Sequence, residues 1–194
     1  YSEQRKEYYR RLIDQGKQLA AEGRLNECLE VLRSVPAEFA VPAEVPDLIG
    51  AVQERMAQAS KRLAAVPQLL AQLRYDDARQ AIESVASAWV DCPGLEEARK
   101  QLESNEETVR MVEYELAQVK EHLDKGEFSE ARKALEFALT ALPQHPDVRR
   151  MQEEIDRREK SALLKNAVAR ARKAFDEGRF QEALQLWQSA AAML

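Results

Sequence analysis

Very few residues of this chain have the types and spacing that chemistry needs. There are two histidines, His122 and His145, and two cysteines, Cys28 and Cys92. Neither histidine has a Cys, Asp or Glu at metal-ligand spacing, and no Ser or Cys lies in a nucleophile motif beside a base. Two cysteines are too few for a disulfide framework, so we interpret both as reduced structural thiols. We therefore expect no enzyme activity, no metal and no cofactor.

Composition indicates what kind of scaffold the chain builds instead. The 194 residues are 45% hydrophobic, 32% charged and only 6% aromatic, and Ala, Leu, Glu, Arg, Lys and Gln dominate, as in helices. A net charge of -5 with both signs interspersed argues against a nucleic-acid-binding surface. No apolar run approaches the ~20 residues of a membrane span. We expect an all-α, cytoplasmic chain that binds neither nucleic acid nor membrane.

One pattern of small and apolar residues occurs four times, anchored about fifty residues apart at Gly23, Leu73, Gly126 and Gly178. A large side chain follows two positions after each anchor, at Leu25, Tyr75, Phe128 and Phe180. Small or apolar residues follow at five, nine and twelve positions, namely Cys28, Leu32, Val35; Ala78, Ile82, Val85; Ala131, Leu135, Ala138; and Ala183, Trp187, Ala190. Such arrays usually act as binding surfaces or spacers.

Each repeat is predicted to hold one short and one long helix. Prolines at Pro46, Pro93 and Pro146 indicate helix starts, since a proline in the first turn removes an N–H that has no partner there. The long helices are predicted over residues 47–73, 94–125 and 147–177. The four repeats would span residues 1–45, 46–92, 93–145 and 146–194 as one continuous domain, which we interpret as a fragment of a larger protein.

Three residues depart from this regular plan. Pro67 predicts a kink or break near residues 63–67, because it removes a helical hydrogen bond. Leu73 replaces the turn glycine, so the second repeat is expected to close its turn differently. Asn105 lies on an otherwise apolar seam, where it either fixes the register of the helix or marks a solvent-filled gap between two bundles.

The anchors resemble the tetratricopeptide repeat, through its turn glycine, following aromatic, small residues and closing proline at Gly126, Phe128, Ala131, Ala138 and Pro143. Gly178, Phe180, Ala183 and Ala190 match in the same way. The resemblance implies helical hairpins that bind a protein or peptide partner. That family repeats about every 34 residues, so the surplus here would extend the long helices. Long helices shared between neighbours are similar to spectrin-type arrays and predict an extended array of small three-helix bundles, with a compact stack as the alternative.

The last repeat supplies the candidate interaction site. Trp187 takes the apolar position of Leu32, Ile82 and Leu135, which indicates core packing. With no long helix after it, however, the repeat would leave an apolar face formed by Leu186, Trp187, Ala190 and Leu194. A partner protein, another domain of the parent chain or a second copy of the chain would cover that face.

Two functions fit this organisation. The first is a non-catalytic protein–protein interaction scaffold. The second is a structural spacer or self-association rod, for example in the accessory region of a bacterial serine/threonine protein kinase, an analogy at the level of fold alone. The charged residues 149–158 are interpreted as a solvated helix face, with an electrostatic docking strip as the alternative. An enzymatic function ranks third.

Overall fold

The computed structural model describes residues 2–38 and 44–192. These residues form nine α-helices and no β-strand, which confirms the all-α prediction. The helices are α1 (Ser2–Ala21), α2 (Leu25–Arg33), α3 (Glu44–Ala64), α4 (Val66–Ala71), α5 (Tyr75–Ala88), α6 (Leu95–Lys125), α7 (Phe128–Ala141), α8 (Pro146–Asp176) and α9 (Phe180–Ala191).

The chain divides into two compact parts, the first ending at Glu106 and the second beginning at Glu107. In the N-terminal part, α1 packs on α2, α2 on α3, and α5 on both α3 and α4. One apolar cluster runs through this part and takes in the start of α6, with Leu95, Ala98 and Leu102 buried in it. Neighbouring helices therefore bury their apolar faces against one another along the chain order, as in a helical repeat.

The C-terminal part has its own apolar cluster. In this part α7 packs on α8, and α8 packs on α9. The end of α6, α7 and the start of α8 supply the buried residues of this cluster, which are Val112, Leu116, Val119, Leu123, Ala131, Leu135, Ala138, Val148, Met151 and Ile155. The second half of α8 and the whole of α9 add nothing to it and form a separate hairpin.

All four anchor residues adopt the left-handed backbone conformation, with φ of 77° at Gly23, 59° at Leu73, 74° at Gly126 and 78° at Gly178. The backbone hydrogen bonds that close the turn are also the same at all four anchors. The Leu73 N–H donates to the Leu70 carbonyl at 3.0 Å and the Arg74 N–H to the Leu69 carbonyl at 2.9 Å, a Schellman motif like those at the glycines. The expectation that this turn closes differently is therefore wrong, because these two bonds hold leucine where glycine is usual.

Leu73→Gly should raise the free energy of unfolding by about 0.5 to 1 kcal/mol. A left-handed leucine costs about 1–2 kcal/mol, of which the greater freedom of glycine in the unfolded chain and the lost packing of the half-buried Leu73 side chain cancel a part. Urea denaturation followed by circular dichroism measures the change. Gly126→Leu, the opposite exchange in an equivalent turn, should lower stability. A Leu73→Gly variant less stable than wild type would contradict this explanation.

The predicted break at Pro67 is confirmed. Helix α3 ends at Ala64 and α4 begins at Val66, so that Pro67 lies in the first turn of a new helix, where a backbone N–H has no intrahelical acceptor and its loss costs little. The other two long helices begin and end within one residue of the predicted bounds, as Leu95–Lys125 and Pro146–Asp176. Pro46, Pro67 and Pro146 thus lie in the first turn of α3, α4 and α8, and Pro93 lies two residues before α6. The predicted start of the first long helix at residue 47 is three residues late, because α3 begins at Glu44.

The loop after α5 ties the N-terminal part together. The Val90 N–H donates to the Gly23 carbonyl at 2.9 Å, and the Leu25 N–H donates to the Asp91 carboxylate at 3.1 Å. Asp91 thus caps α2 from 66 positions away in sequence. Asn105 behaves differently, because its side-chain amide donates at 2.8 Å to the Gln101 carbonyl of its own helix. Because this bond lies within α6, it does not support the interpretation that Asn105 fixes the register of α6 against another helix.

Candidate interaction surface

The small residues five positions after each anchor are structural. Cys28, Ala78, Ala131 and Ala183 are all buried, which lets each short helix lie close against the helix before it. The Cys28 thiol donates to the Gly16 carbonyl at 3.1 Å, and burial raises the pKa of that thiol. Burial also raises the pKa of the Cys92 thiol. Higher pKa values leave less thiolate, which fits two inert, free cysteines.

Both histidines have local structural contacts. His122 Nδ1 lies 2.7 Å from the Glu127 carboxylate, at the turn between α6 and α7. The His145 ring accepts the Asp147 N–H at 3.3 Å and so caps α8. Within residues 2–38 and 44–192, no group of three or more His, Cys, Asp or Glu side chains could hold a metal ion. Each histidine ring is therefore held by a contact at a helix end.

Large exposed apolar side chains concentrate on the hairpin of α8 and α9. This hairpin carries five of the ten in the described part of the chain: Leu163, Phe175, Phe180, Leu184 and Trp187. Phe175 is 57% exposed, Phe180 62%, Leu184 59% and Trp187 45%. The rings of Phe175 and Phe180 meet edge to face with centroids 5.4 Å apart, which joins the two helices into one surface.

The hairpin leaves large side chains exposed because it packs through small ones. The buried residues between α8 and α9 are Ala171, Ala174, Ala183 and Ala190. Helical spacing then places Phe180, Leu184 and Trp187 on a different stripe of α9. We call the surface formed by Leu164, Val168 and Phe175 of α8 and Phe180, Leu184 and Trp187 of α9 the open face.

The open face differs from the patch expected from the sequence. Trp187 is exposed and belongs to it, Leu186 is half-buried, and Ala190 is buried in the contact with α8. Leu194 lies outside the described residues. Sequence reasoning missed Phe175 and Leu184. Leu184 lies six positions after its anchor, and comparison of that position with the other repeats would have found it.

In the earlier repeats most of the equivalent positions are buried. Trp187 lies nine positions after its anchor, where Leu32 is 1% exposed, Ile82 3% and Leu135 2%. Phe175 lies three positions before its anchor, where the second and third repeats have the buried residues Leu70 and Leu123. Most of the open face thus lies at positions that the chain buries in its other repeats. Leu184 is an exception, since the exposed Arg79 and Arg132 take its position in the second and third repeats.

A helix covers this surface in each earlier repeat. Helices α3, α6 and α8 each carry apolar residues 22, 25 and 29 positions after the preceding anchor. These residues are Val45, Leu48, Val52; Leu95, Ala98, Leu102; and Val148, Met151, Ile155, all within the apolar clusters. Among the described residues, no helix takes this place on the last repeat. The open face is therefore an apolar surface at positions that a helix covers in the earlier repeats.

The hairpin that carries the open face is basic, although the chain as a whole is acidic. Residues 160–192 hold six basic side chains, Lys160, Lys165, Arg170, Arg172, Lys173 and Arg179, and three acidic ones, Asp176, Glu177 and Glu182. Lys165 and Arg172 are exposed and lie at helical spacing from Val168 and Phe175. The apolar surface therefore has a positively charged flank along α8.

The coarse architecture agrees with a helical repeat, since neighbouring helices of each part pack as hairpins. No helix in the described ranges is both long enough and apolar enough to cross a membrane. Comparison of the chain with protein-family models, with curated proteins and with solved structures gives no match in any of the three.

Proposed function

We propose that this chain is a non-catalytic scaffold that binds another protein through its helical repeats. The observation that carries the proposal is the open face, where six large or medium apolar side chains are exposed or half-buried, most of them at positions that earlier repeats bury. Exposed apolar surface of this extent is typical of interaction sites, because leaving it in water is unfavourable.

Capture of a partner tests the proposal. The immobilised chain should retain at least one protein of the source organism in a fixed molar ratio, and Phe180→Ser should reduce that retention at least about tenfold, since removing a buried aromatic costs more than ~1.4 kcal/mol of binding. Phe137→Ser, at an exposed phenylalanine of α7, is the matched control and should retain the partner.

Thermal unfolding of both variants completes the test. Phe180 is 62% exposed, so its replacement should leave the unfolding midpoint within a few degrees of the wild-type value. If the wild-type chain retains no protein in a fixed ratio, or if Phe180→Ser loses the partner only together with its fold, the scaffold function fails.

The second candidate is a structural spacer between other domains of a parent chain. It is favoured by α6 and α8, which are 31 residues long each. A helix of this length spans ~46 Å at 1.5 Å per residue, well above an average globular helix. This function requires no partner outside the parent chain, so the capture experiment separates it from the scaffold.

A further inference from the structure

We propose that the open face binds one amphipathic helix of another protein, with apolar residues at four positions spaced i, i+3, i+7 and i+11 and with acidic residues on its flank. This inference rests on the proposed scaffold function and names the class of partner. The first three positions come from the covering helices α3, α6 and α8, which share the spacing seen in Val45, Leu48 and Val52. The fourth apolar position and the acidic flank of the partner helix follow from two further observations.

The fourth position comes from a pairing that recurs between short and covering helices. The residue six positions after each anchor lies on the short helix. Its counterpart on the covering helix is the residue 33 positions after the same anchor. In the second repeat, Arg79 forms an ion pair with Glu106. In the third, Arg132 contacts Glu159 at 2.5 Å. In both repeats, an arginine on the short helix therefore forms an ion pair with a glutamate on the covering helix.

The first repeat shows the apolar version of this pairing. Leu29 is buried at the sixth position, and Met56 lies at the matching position of α3, half-buried in the same apolar cluster. The last repeat has Leu184 at the sixth position. A glutamate opposite Leu184 would lose hydration without gaining an ion pair, so the partner helix should carry an apolar residue there, as α3 does.

The basic flank of the open face favours a partner helix with acidic side chains. The flank of the open face carries Lys165 and Arg172, and residues 160–192 have twice as many basic as acidic side chains. Two of the three covering stretches within the chain are acidic: residues 44–58 have three acidic and one basic side chain, and residues 94–108 have five acidic and two basic ones. The third, residues 147–161, has five of each. An acidic flank on the partner helix complements the basic one and speeds association.

Two peptides taken from the chain itself are the probes. The peptide of residues 44–58 carries Met56 at the fourth position, and the peptide of residues 94–108 carries Glu106 there. Neither contains tryptophan, so the emission of the protein reports binding. Trp187 is 45% exposed and should shift to shorter wavelength when a helix covers it, whereas Trp89 is already buried. The wild-type chain should bind the 44–58 peptide more tightly than the 94–108 peptide.

Leu184→Arg should reverse this preference. Arginine in place of Leu184 should weaken binding of the 44–58 peptide by roughly tenfold, because it faces Met56, and should make the 94–108 peptide the tighter ligand. Phe137→Arg, which adds the same charge at an exposed apolar residue of α7, should leave both affinities unchanged. Loss of both peptides to the same degree in Leu184→Arg would contradict the fourth-position pairing.

A free peptide must fold before it binds, so a fused version complements the titration. The 44–58 sequence is joined to the end of the chain through a flexible Gly/Ser linker of about twelve residues, which makes binding intramolecular. The fusion should shift Trp187 emission and raise the unfolding midpoint of the last hairpin. If neither the free nor the fused helix shifts Trp187, the inference is wrong.

The remaining outcomes separate this inference from the function on which it rests. Partner capture that persists in Leu184→Arg, with no response to either peptide, leaves the scaffold function standing and overturns the helix site. A Trp187 shift that grows with protein concentration in the absence of peptide identifies a second copy of the chain as the occupant and also overturns it. Peptide binding with the reversal in Leu184→Arg, but without capture of any partner, supports the site and counts against the scaffold.

Discussion

Replacing Ile155 with alanine should lower the free energy of unfolding of the C-terminal part by about 3 kcal/mol. Ile155 has no exposed area and lies in the cluster formed by α6, α7 and α8, together with Leu135, Val148 and Met151. The loss combines the transfer free energy of the removed carbons with the cost of the cavity they leave, which helices packed on two sides fill only in part.

The matched control for this variant lies on the same helix. Leu163 of α8 is 54% exposed, so Leu163→Ala should change stability by less than about 0.5 kcal/mol. Chemical denaturation followed by circular dichroism measures both variants, and hydrogen exchange of α7 and α8 amides assigns the loss to the C-terminal part. An Ile155→Ala variant within about 1 kcal/mol of wild type would be evidence against a close-packed cluster.

The second large effect is expected at Gly16 of α1. A Cβ atom on this residue would lie 2.6 Å from Cδ2 and 2.9 Å from Cγ of Leu32, which is itself buried. Valine cannot enter this space unless the buried Leu32 side chain shifts or α1 and α2 move apart, so Gly16→Val should lower the free energy of unfolding by about 3 kcal/mol, at the upper end for overpacking. Urea denaturation of the purified variant gives the value.

Two comparisons show whether the clash with Leu32 is the cause. A Cβ atom on Gly50 of α3 would have nothing within 4 Å, so Gly50→Val should stay within about 0.5 kcal/mol of wild type. Leu32→Ala should cost less in the Gly16→Val background than in the wild-type chain, because the smaller residue makes room. Additive effects of the two substitutions would refute a direct clash.

The helical architecture was predictable because its signals are local. Pro93 and Pro146 mark helix starts, Pro67 marks a break, and buried small residues such as Ala131 recur at fixed distances from the anchors. Each depends on backbone geometry or helical periodicity, which a short stretch of sequence determines. The identity of the residues in the repeat was therefore enough to place most helices.

The remaining features depend on tertiary packing. The left-handed conformation of Leu73 is unfavourable for leucine and exists because neighbouring hydrogen bonds hold it. On α9, alanines such as Ala190 form the contact with α8, while the larger Leu184 faces outward. Hydrophobicity alone assigns the largest side chains to the core, so it could not indicate which stripe of α9 is covered.

The recurring pairs between short and covering helices also bear on how the chain avoids misfolding. Similar helices in one chain compete for the same neighbours, and a wrong choice traps the protein in a misassembled state. Docking the first half of α6, which carries Glu106, against Leu29 would desolvate a carboxylate without an arginine opposite it, and this cost favours α3 as the neighbour of α2. The second and third repeats share the arginine–glutamate pair, at Arg79 with Glu106 and at Arg132 with Glu159. Helices α5 and α7 could therefore form the same arginine–glutamate pair with either α6 or α8. We expect misassembly during folding to be most frequent in these two repeats.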